Sequence, residues 1–400
     1  MAPRVLALAL VVCPAAALRT AAIGAKVADL KSYTFRRFVE DFQRTYEQGT
    51  EQWAMREALF NERILAMAEH NSADRSWKMD ISKFMDYTEV EKQRQLGYTG
   101  GRSRKQESGG SESVALKRSS SLPSTFSVAS EKAPRTKLLT IIRDQGNCGS
   151  CWAEAATSTF EGQLEVNSTL MEELEASMKI DKRMPQTPTL SSQTVVSCTE
   201  NKRHCGGTGG CGGATVELAY DMVMEHGGLP FATSWSYTGS DATCRKDVFN
   251  DHKISMAGYT ILPSNKLNPL VEALVGSGGP IAVSVDATNW FTYGRGVYTD
   301  RYNPDFTVNH AVTLMGYKMP EGQTPGWYDI KNSWGSFWGE NGHIRIEMKP
   351  EEEKHCGYDR KTHDGIACDG DPDTAWVCGT CGVLYDSVFP YGLTIEKVSR

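Results

Sequence analysis

The stretch from Gln145 to Ala153, Gln-Gly-Asn-Cys-Gly-Ser-Cys-Trp-Ala, constrains this chain more than any other part of its sequence. Its two glycines favour a tight turn, and the apolar residues that follow recur every four positions, as on one face of a helix: Trp152, Ala156, Phe160 and Leu164. This pattern predicts that Cys151 lies at a helix N-terminus, where backbone N–H groups and the helix dipole stabilise an anion. Because the thiolate is the reactive form of cysteine, Cys151 is a candidate nucleophile, whereas Cys148 is expected to be structural.

The first residues have the pattern of a secretory signal peptide. Met1 to Arg4 carry a positive charge, Val5 to Val12 are apolar, and Ala15 to Ala17 supply small residues for cleavage. The apolar run is much shorter than the roughly 20 residues that span a bilayer, so a membrane anchor is the weaker alternative. We therefore predict a signal peptide at residues 1–17 and no other membrane span.

Cysteine content and charge are typical of an exported protein. The chain has eleven cysteines, of which Cys13 leaves with the signal peptide, and an exported protein can keep the other ten in disulfides. The sequon Asn167-Ser168-Thr169 predicts N-glycosylation at Asn167. A net charge of −6 gives no basic surface for nucleic acid. We expect a soluble protein of the secretory pathway, destined for a lysosome-like vacuole or for the exterior.

The sequence divides into segments of different composition. Residues 18–99 are predicted to be mainly helical, because apolar residues recur at helical spacing and the stretch Trp53 to Asn71 lacks Gly and Pro. Residues 100–121 combine Gly, Ser and charges of both signs, which predicts a linker open to proteolysis. Helical signals follow over about 122–250, and short apolar or alternating runs predict strands over about 251–400. This order predicts an α+β fold with a cleft between a helical half and a strand-rich half.

The run Cys148 to Trp152 resembles the sequence around the nucleophile of papain and the cathepsins, and the chain is identified by it as a member of the papain family of cysteine peptidases. The resemblance implies a papain-like fold over residues 122–400, with a helical left domain and a β-barrel-like right domain. It also implies that Cys151 is the nucleophile and that a histidine and an asparagine lie far downstream.

Further residues have counterparts in the family. His310 stands at the start of an apolar strand, and Asn332 begins an Asn-Ser-Trp-Gly motif. The resemblance implies that His310 pairs with Cys151, that Asn332 orients the imidazole, and that Trp334 covers their hydrogen bond. Gln145, six residues before the nucleophile, corresponds to the family's oxyanion-hole glutamine. Neither a cofactor nor a metal is implied.

The N-terminal segment resembles the inhibitory propeptide of cathepsin L-like enzymes. Arg56, Phe60 and Asn71 keep part of its interspersed helical motif, and Phe84 and Asp86 match the end of a shorter motif. The resemblance implies that this segment covers the cleft and inhibits the precursor; an unrelated helical domain is the alternative. The implied partners are protein or peptide substrates, the chain's own propeptide and cystatin-like inhibitors, and we expect a monomer.

The resemblance also implies two disulfides of the family: Cys148 with Cys211 and Cys198 with Cys244. The family's third bridge is in doubt, because Asn303 stands where its first cysteine is expected. An odd number of cysteines remains, so at least one thiol should be free or paired between molecules: Cys205, Cys356, Cys368, Cys378 and Cys381. The Cys378-Gly-Thr-Cys381 motif suits a zinc or redox site, but a structural bridge among these cysteines is the preferred interpretation.

Substrate contacts are also implied by the resemblance. The family's peptide-binding glycine pair corresponds to Gly213 and Ala214. Asp386 is placed near the base of the pocket for the second residue before the scissile bond, where an acid favours arginine or lysine; a solvated or capping Asp386 is the alternative. Glu154 stands where the family has an apolar residue, without an explanation. The predicted function is a cysteine endopeptidase made as an inactive precursor, and the alternative is a catalytically inactive papain-like binding or inhibitory protein.

Overall fold

The computed structural model describes residues 30–98, 122–131, 138–178, 189–300 and 305–396, so the predicted signal peptide and linker lie outside the described residues. The α-helices are α1 (Phe35–Asp41), α2 (Glu51–Ser72), α3 (Glu89–Gln95), α4 (Val128–Glu131), α5 (Cys151–Glu165), α6 (Ser168–Met178), α7 (Ser192–Cys198), α8 (Val216–Glu225) and α9 (Leu267–Ser277). Within the described part of the chain, every helix is too short or too polar to cross a bilayer.

The strands form one large and two small sheets. They are β1 (Trp77–Met79), β2 (Thr125–Ser127), β3 (Leu229–Pro230), β4 (Lys253–Ser255), β5 (Gly258–Ile261), β6 (Ile281–Val285), β7 (Tyr293–Tyr298), β8 (Asp305–Phe306), β9 (His310–Lys318), β10 (Gly326–Lys331), β11 (His343–Met348), β12 (Cys356–Asp359), β13 (Ala375–Cys378), β14 (Asp386–Tyr391) and β15 (Thr394–Glu396). The large sheet has the order β1-β7-β11-β10-β9-β6-β14-β5, with β2 paired to β9. The small sheets have the orders β13-β12-β8 and β15-β4-β3.

The predicted α+β fold, with a helical half and a strand-rich half, is confirmed. Helix α5 is buried along almost its whole length, because it packs between the helical half and strand β9 of the large sheet. Strands β6 and β9 are nearly continuous apolar runs, as expected of strands covered on both faces. The two halves meet along α5 and β9, and this contact positions the cleft.

The N-terminal segment, residues 30–98, forms helices α1 to α3 and strand β1. Thr50 caps α2 by accepting a hydrogen bond from the Trp53 amide at 3.2 Å, and Thr88 forms a capping box with Glu91 at the start of α3. The expectation of a mainly helical segment missed β1, which pairs antiparallel with β7 of the large sheet. The three residues of β1 lack a helical or alternating pattern long enough to detect, so pairing with β7 decides their conformation.

The disulfides fall into two groups. The structure joins Cys148 to Cys211 and Cys198 to Cys244, as the resemblance implied. The preferred interpretation of a structural bridge among the remaining cysteines is also confirmed, by the pairs Cys205–Cys368 and Cys356–Cys378. The suggested Cys378–Cys381 zinc or redox motif is wrong, because Cys378 is bonded elsewhere and Cys381 is a buried free thiol. Among the described residues, no group of His, Cys, Asp or Glu is arranged to hold a metal ion.

Candidate active site

Cys151 is the first residue of α5 and lies in the cleft between the two halves. Its side chain is fully buried, and the Ala311 amide donates a hydrogen bond to Sγ at 3.4 Å. On the other side, Sγ lies 3.5 Å from the carbonyl oxygen of Leu96 in the N-terminal segment. Ser150, at the N-cap position, makes no capping bond; its hydroxyl instead lies 2.6 Å from the Tyr237 hydroxyl. The backbone N–H groups of Cys151 and Trp152, at the start of the helix, act on the sulfur instead.

His310 and Asn332 meet because of the strand order. His310 begins β9, Asn332 follows directly after β10, and the two strands are antiparallel, so both residues lie at one edge of the sheet. Asn332 Oδ1 lies 2.8 Å from His310 Nε2 and also accepts the Ser333 amide at 2.8 Å. An amide oxygen only accepts hydrogen bonds, so Nε2 carries the imidazole hydrogen and Nδ1 is the basic nitrogen. The ring centroid of the buried Trp334 lies 5.0 Å from that of the imidazole, and the Trp334 ring shields the His310–Asn332 hydrogen bond from water.

Gln145 is held beside the sulfur by both halves of the cleft. Its Oε1 accepts a hydrogen bond from the Ser333 hydroxyl at 2.7 Å, so that Nε2 faces the cleft. Nε2 donates at 3.0 Å to the carbonyl oxygen of Gln95 in the N-terminal segment and at 3.0 Å to that of Cys148. A carbonyl of the N-terminal segment thus occupies a donor suited to a substrate oxyanion.

Burial keeps Cys151 and His310 uncharged in this structure. It raises the pKa of the Cys151 thiol to about 12, although backbone N–H groups, that of Ala311 foremost, act in the opposite direction. Burial also lowers the pKa of His310 to about 4, although the hydrogen bond with Asn332 opposes this change. At neutral pH the pair is therefore a thiol and a neutral imidazole. The thiolate needed for nucleophilic attack is absent while the cleft is covered.

The N-terminal segment is anchored to the strand-rich half before it enters the cleft. Phe84 is packed edge-on against Trp334 and Phe291, with ring centroids 5.1 Å apart in both pairs. The Ser82 hydroxyl donates to the Phe291 carbonyl at 2.7 Å, and Lys83 adds a contact to the helical half through an ion pair with Asp144. Two residues matched to the propeptide motif also act within the segment: Arg56 pairs with Glu91, and Asn71 exchanges hydrogen bonds with the backbone of Met79.

The chain then runs through the cleft as Leu96, Gly97 and Tyr98. Gly97 has φ +60° and lies so close to Cys151 that an added methyl group would overlap both Sγ and the Gly149 carbonyl. Only glycine fits at this point, because any side chain would displace the backbone from the sulfur. The N-terminal segment is therefore shaped to cover Cys151 directly.

Tyr98 occupies a pocket next to Cys151. The side chain is 1% exposed, and its hydroxyl lies 3.2 Å from the Ser284 hydroxyl, which donates to Asp386 at 2.6 Å. Asp386 and Ser284 are directly opposed on β14 and β6. Asp386 is buried at the base of this pocket rather than solvated. Ala214 is also buried in the cluster that contains Tyr98.

Two other predicted positions have a clear location. Gly213 has φ +93°, and a Cβ there would overlap the Gly97 carbonyl, so this glycine lets the bound segment approach. Asn167, the predicted glycosylation position, is exposed at the junction of α5 and α6, where its side chain accepts the Leu170 amide at 3.1 Å.

Glu154, for which the sequence alone gives no explanation, belongs to a buried ion cluster. Arg143 donates to Glu154 at 3.2 Å and to Glu161 at 2.6 Å, and both carboxylates are almost fully buried. The backbone of Arg143 accepts the Gly335 amide at 2.9 Å, so the cluster ties α5 to the segment before Gln145 and to the loop that follows Asn332. The signal in the sequence was the pair of acids seven residues apart, on one face of α5.

Removal of Arg143 should destabilise the fold strongly. An Arg143→Met variant leaves Glu154 and Glu161 buried without their cation, and we expect a loss of about 3–5 kcal/mol in the free energy of unfolding. Arg245→Met is the matched control, because Arg245 pairs with Asp247 on the surface, where solvent screens both charges, so its replacement should leave the free energy of unfolding nearly unchanged. Urea denaturation of both precursors measures the difference, and equal small losses would contradict the structural role of the cluster.

Comparisons with known proteins show the family to which the chain belongs. Residues 122–366 match the model of the papain family of cysteine proteases, and the chain belongs to that family. It is 31% identical over 326 residues to the probable cysteine protease RD19D of Arabidopsis thaliana, which covers 78% of this chain and 80% of the relative. It is 28% identical over 356 residues to cathepsin L1 of Drosophila melanogaster, covering 87% and 88%. Vignain of Vigna mungo is 28% identical over 307 residues, covering 75% and 76%.

Solved precursor structures share the fold of the chain. The recombinant stem bromelain precursor has a TM-score of 0.64 at 24% identity, covering 90% of this chain and 97% of that one. Digestive procathepsin L 3 of Tenebrio molitor larval midgut has a TM-score of 0.63 at 21% identity, covering 89% and 97%. The predicted resemblance to cathepsin L-like proteins with a helical propeptide is therefore confirmed, and the N-terminal segment is called the prosegment below.

Proposed function

We propose that this chain is the precursor of a cysteine endopeptidase that cleaves peptide bonds with Cys151 and His310. One observation carries the proposal: Cys151, His310, Asn332 and Gln145 converge in a single cleft, and the chain's own prosegment lies across all of it. Residues from both halves contribute, so the arrangement exists only in the folded protein. No cofactor is needed for this chemistry.

In the proposed reaction, the Cys151 thiolate attacks the carbonyl carbon of the scissile bond. The carbonyl oxygen becomes an oxyanion, which accepts hydrogen bonds from Gln145 Nε2 and the Cys151 amide. His310 then donates the proton it took from the thiol to the leaving amine, and a thioester remains on the sulfur. Water, deprotonated by His310, attacks the thioester and releases the carboxylic product. Asn332 keeps the imidazole in the required tautomer throughout.

We further propose that the prosegment inhibits by occupying each of these contacts. The Gln95 carbonyl takes the Gln145 donor, Gly97 covers the sulfur, and Tyr98 fills the adjacent pocket. Burial under these residues keeps the thiol protonated. Cleavage within the proposed linker, residues 100–121, would release a peptidase domain that begins near residue 122. Displacement of the prosegment lets water enter the cleft, so that Cys151 and His310 can become charged.

Export through the secretory pathway completes the proposal. Four disulfides within the described residues are consistent with an oxidising compartment. The exposed position of Asn167 is accessible to glycosylation. We propose a vacuole-like compartment or the exterior as the destination, with proteins and peptides as substrates and cystatin-like proteins as inhibitors of the released domain.

The alternative, an inactive papain-like binding protein, would need the same cleft without the chemistry. It is separated from the peptidase by labelling the processed protein with an irreversible epoxysuccinyl inhibitor and by measuring hydrolysis of peptide reporters. We expect one label, located on Cys151 by mass spectrometry, together with loss of hydrolysis. A processed protein that takes no label and cleaves no reporter would establish the inactive alternative.

Asp386 is proposed to favour a basic residue in the pocket that Tyr98 fills. Replacing it with alanine should lower the hydrolysis of Arg-Arg reporters relative to Phe-Arg reporters by about tenfold, the effect of losing one hydrogen bond to a charged group. Ser284→Ala is the matched control, because it removes the neighbouring hydroxyl and keeps the carboxylate. The role of Asp386 is refuted if its alanine variant leaves the ratio of the two rates unchanged.

A further inference from the structure

One loop of the strand-rich half reaches across the cleft to the helical half. We call it the strap and define it as residues 360–374, between β12 and β13. Its outer part is bound to residues 203–206 of the helical half through the Cys205–Cys368 disulfide. The backbones are joined as well, since the Gly206 amide donates to Ala367 at 3.0 Å and the Asp369 amide to Arg203 at 2.7 Å. The match to the family model ends at residue 366, inside the strap.

The strap is attached to one wall of the pocket that holds Tyr98. A methyl group added to Gly206 would lie 2.9 Å from Cδ1 of Tyr98 and 3.0 Å from the carbonyl of Ala214. Gly206 therefore faces the tyrosine ring from the side of the helical half. Its φ of +67° favours glycine, so the backbone itself forms this part of the wall. The hydrogen bond to Ala367 fixes its position.

The base of the strap is attached to the opposite wall. Asp359, the fully buried last residue of β12, accepts the Val308 amide at 3.0 Å. Asn309 follows Val308 in the chain, and its carbonyl oxygen accepts a hydrogen bond from the Tyr98 amide at 3.3 Å. Asn309 therefore borders the pocket from the strand-rich half. Ile366 and Ala367, between the two attachments, are themselves buried. A continuous path thus joins the two walls outside the pocket; it is held by a hydrogen bond at Asp359 and by the disulfide at Cys368.

We propose that the strap and its Cys205–Cys368 bridge set the width of this pocket, and thereby the size of the side chain accepted at the second residue before the scissile bond. The pocket lies between two halves, so its width depends on how they are positioned, and a bond across the cleft prevents the walls from separating. In the precursor the ring of Tyr98 fills this width, and its side chain is 1% exposed. The inference rests on the proposed peptidase function and adds the element that determines its selectivity.

Reporters that differ only in the size of that residue test the proposal. Processed native enzyme and a Cys205→Ser/Cys368→Ser variant are compared on reporters with tyrosine or the longer biphenylalanine at the second position, and kcat/KM is measured for each. The native enzyme should prefer tyrosine. In the variant, the ratio of the two kcat/KM values should fall about tenfold, the discrimination that steric fit in one pocket typically supplies. The fall should come from faster cleavage of the biphenylalanine reporter.

A Cys356→Ser/Cys378→Ser variant is the matched control, because it removes a disulfide between β12 and β13 that does not cross the cleft. Its ratio should equal that of the native enzyme. A Gly206→Ala variant keeps every disulfide and provides the opposite change, because its methyl group narrows the pocket. Its kcat/KM for a reporter with tyrosine at the second position should fall relative to that for a reporter with alanine there.

The outcomes separate this proposal from the peptidase function. An unchanged tyrosine-to-biphenylalanine ratio in the folded Cys205→Ser/Cys368→Ser variant, or an equal change in the control, would overturn the role of the strap while hydrolysis continues. If the cross-cleft variant does not fold, Gly206→Ala decides, and an unaltered preference there also overturns the proposal. Absence of hydrolysis and of inhibitor labelling in the native protein would instead overturn the peptidase function itself.

Discussion

A Cys151→Ala variant freed of its prosegment should hydrolyse peptide reporters about 10⁴- to 10⁶-fold more slowly than native enzyme, the loss typical of removing a nucleophile that acts as a unit with its base. Alanine removes only the sulfur, while His310 and Asn332 keep their hydrogen bond, so substrate still binds but no thioester forms. A variant without a nucleophile does not process itself. Both proteins should therefore be released with the same added protease before kcat and KM are measured.

Cys381→Ser is the control for this prediction. Within the described residues, Cys151 and Cys381 are the cysteines outside disulfides, and both are buried. Cys381 lies in the core of the strand-rich half and takes no part in the contacts described above for Cys151, His310, Asn332 and Gln145, so its replacement should leave kcat and KM near their native values. Activity retained by Cys151→Ala, or an equal loss in both variants, would contradict the assignment of the nucleophile.

Local patterns in the sequence were sufficient to predict the helix that carries Cys151. The spacing after Cys151 indicated a helix beginning there, and α5 begins at that residue. His310 and Asn332 were linked by resemblance, and their contact has a physical cause in the antiparallel pairing of β9 and β10. Periodicity reports the environment along one element, so it describes α5 well. Periodicity does not say which helix and strand ends lie together in the fold, and the family motifs supplied that information.

The two remaining bridges illustrate what local patterns omit. Cys205 and Cys368 are 163 residues apart, and the sequence around each has no feature that selects the other. Their pairing depends on the strap reaching across the cleft, which is a property of the folded chain. The short spacing between Cys378 and Cys381 suggested a pair, but β12 and β13 place Cys378 directly opposite Cys356. Strand register, rather than spacing, decides this bond.

Glu154 shows the same limit for charge. A carboxylate one turn into a buried helix is unfavourable alone, and its explanation is Arg143, eleven residues earlier in a segment of a different shape. Arg143 also has a second structural role. Its backbone carbonyl accepts a hydrogen bond from the Gly335 amide, which joins it to the loop that carries Trp334. The prosegment contacts of Tyr98 were equally hidden, since one tyrosine after a short helix carries no pattern.

Cys151 of the precursor should react with iodoacetamide at pH 7 at least about 100-fold more slowly than Cys151 of the processed enzyme. Burial raises the pKa of this thiol from 9.0 to about 12, and each unit lowers the thiolate fraction about tenfold. The precursor's rate should therefore rise with pH, about tenfold per unit from pH 6 to 9. In the processed enzyme a protonated His310 beside the sulfur lowers the thiol pKa to roughly 3.5–7.5, so the rate should change little above about pH 7.5.

The measurement is cleanest in a Cys381→Ser background, where Cys151 is the free thiol among the described residues. Mass spectrometry of the alkylated peptide gives the rate for this residue alone, before and after release of the prosegment. A precursor held inactive by covering contacts alone, with its thiolate already formed, would react at a rate independent of pH. That result, or equal rates in the precursor and the processed enzyme, would contradict inhibition by protonation of the buried thiol. In either case the prosegment would not be preventing the loss of the proton from Cys151.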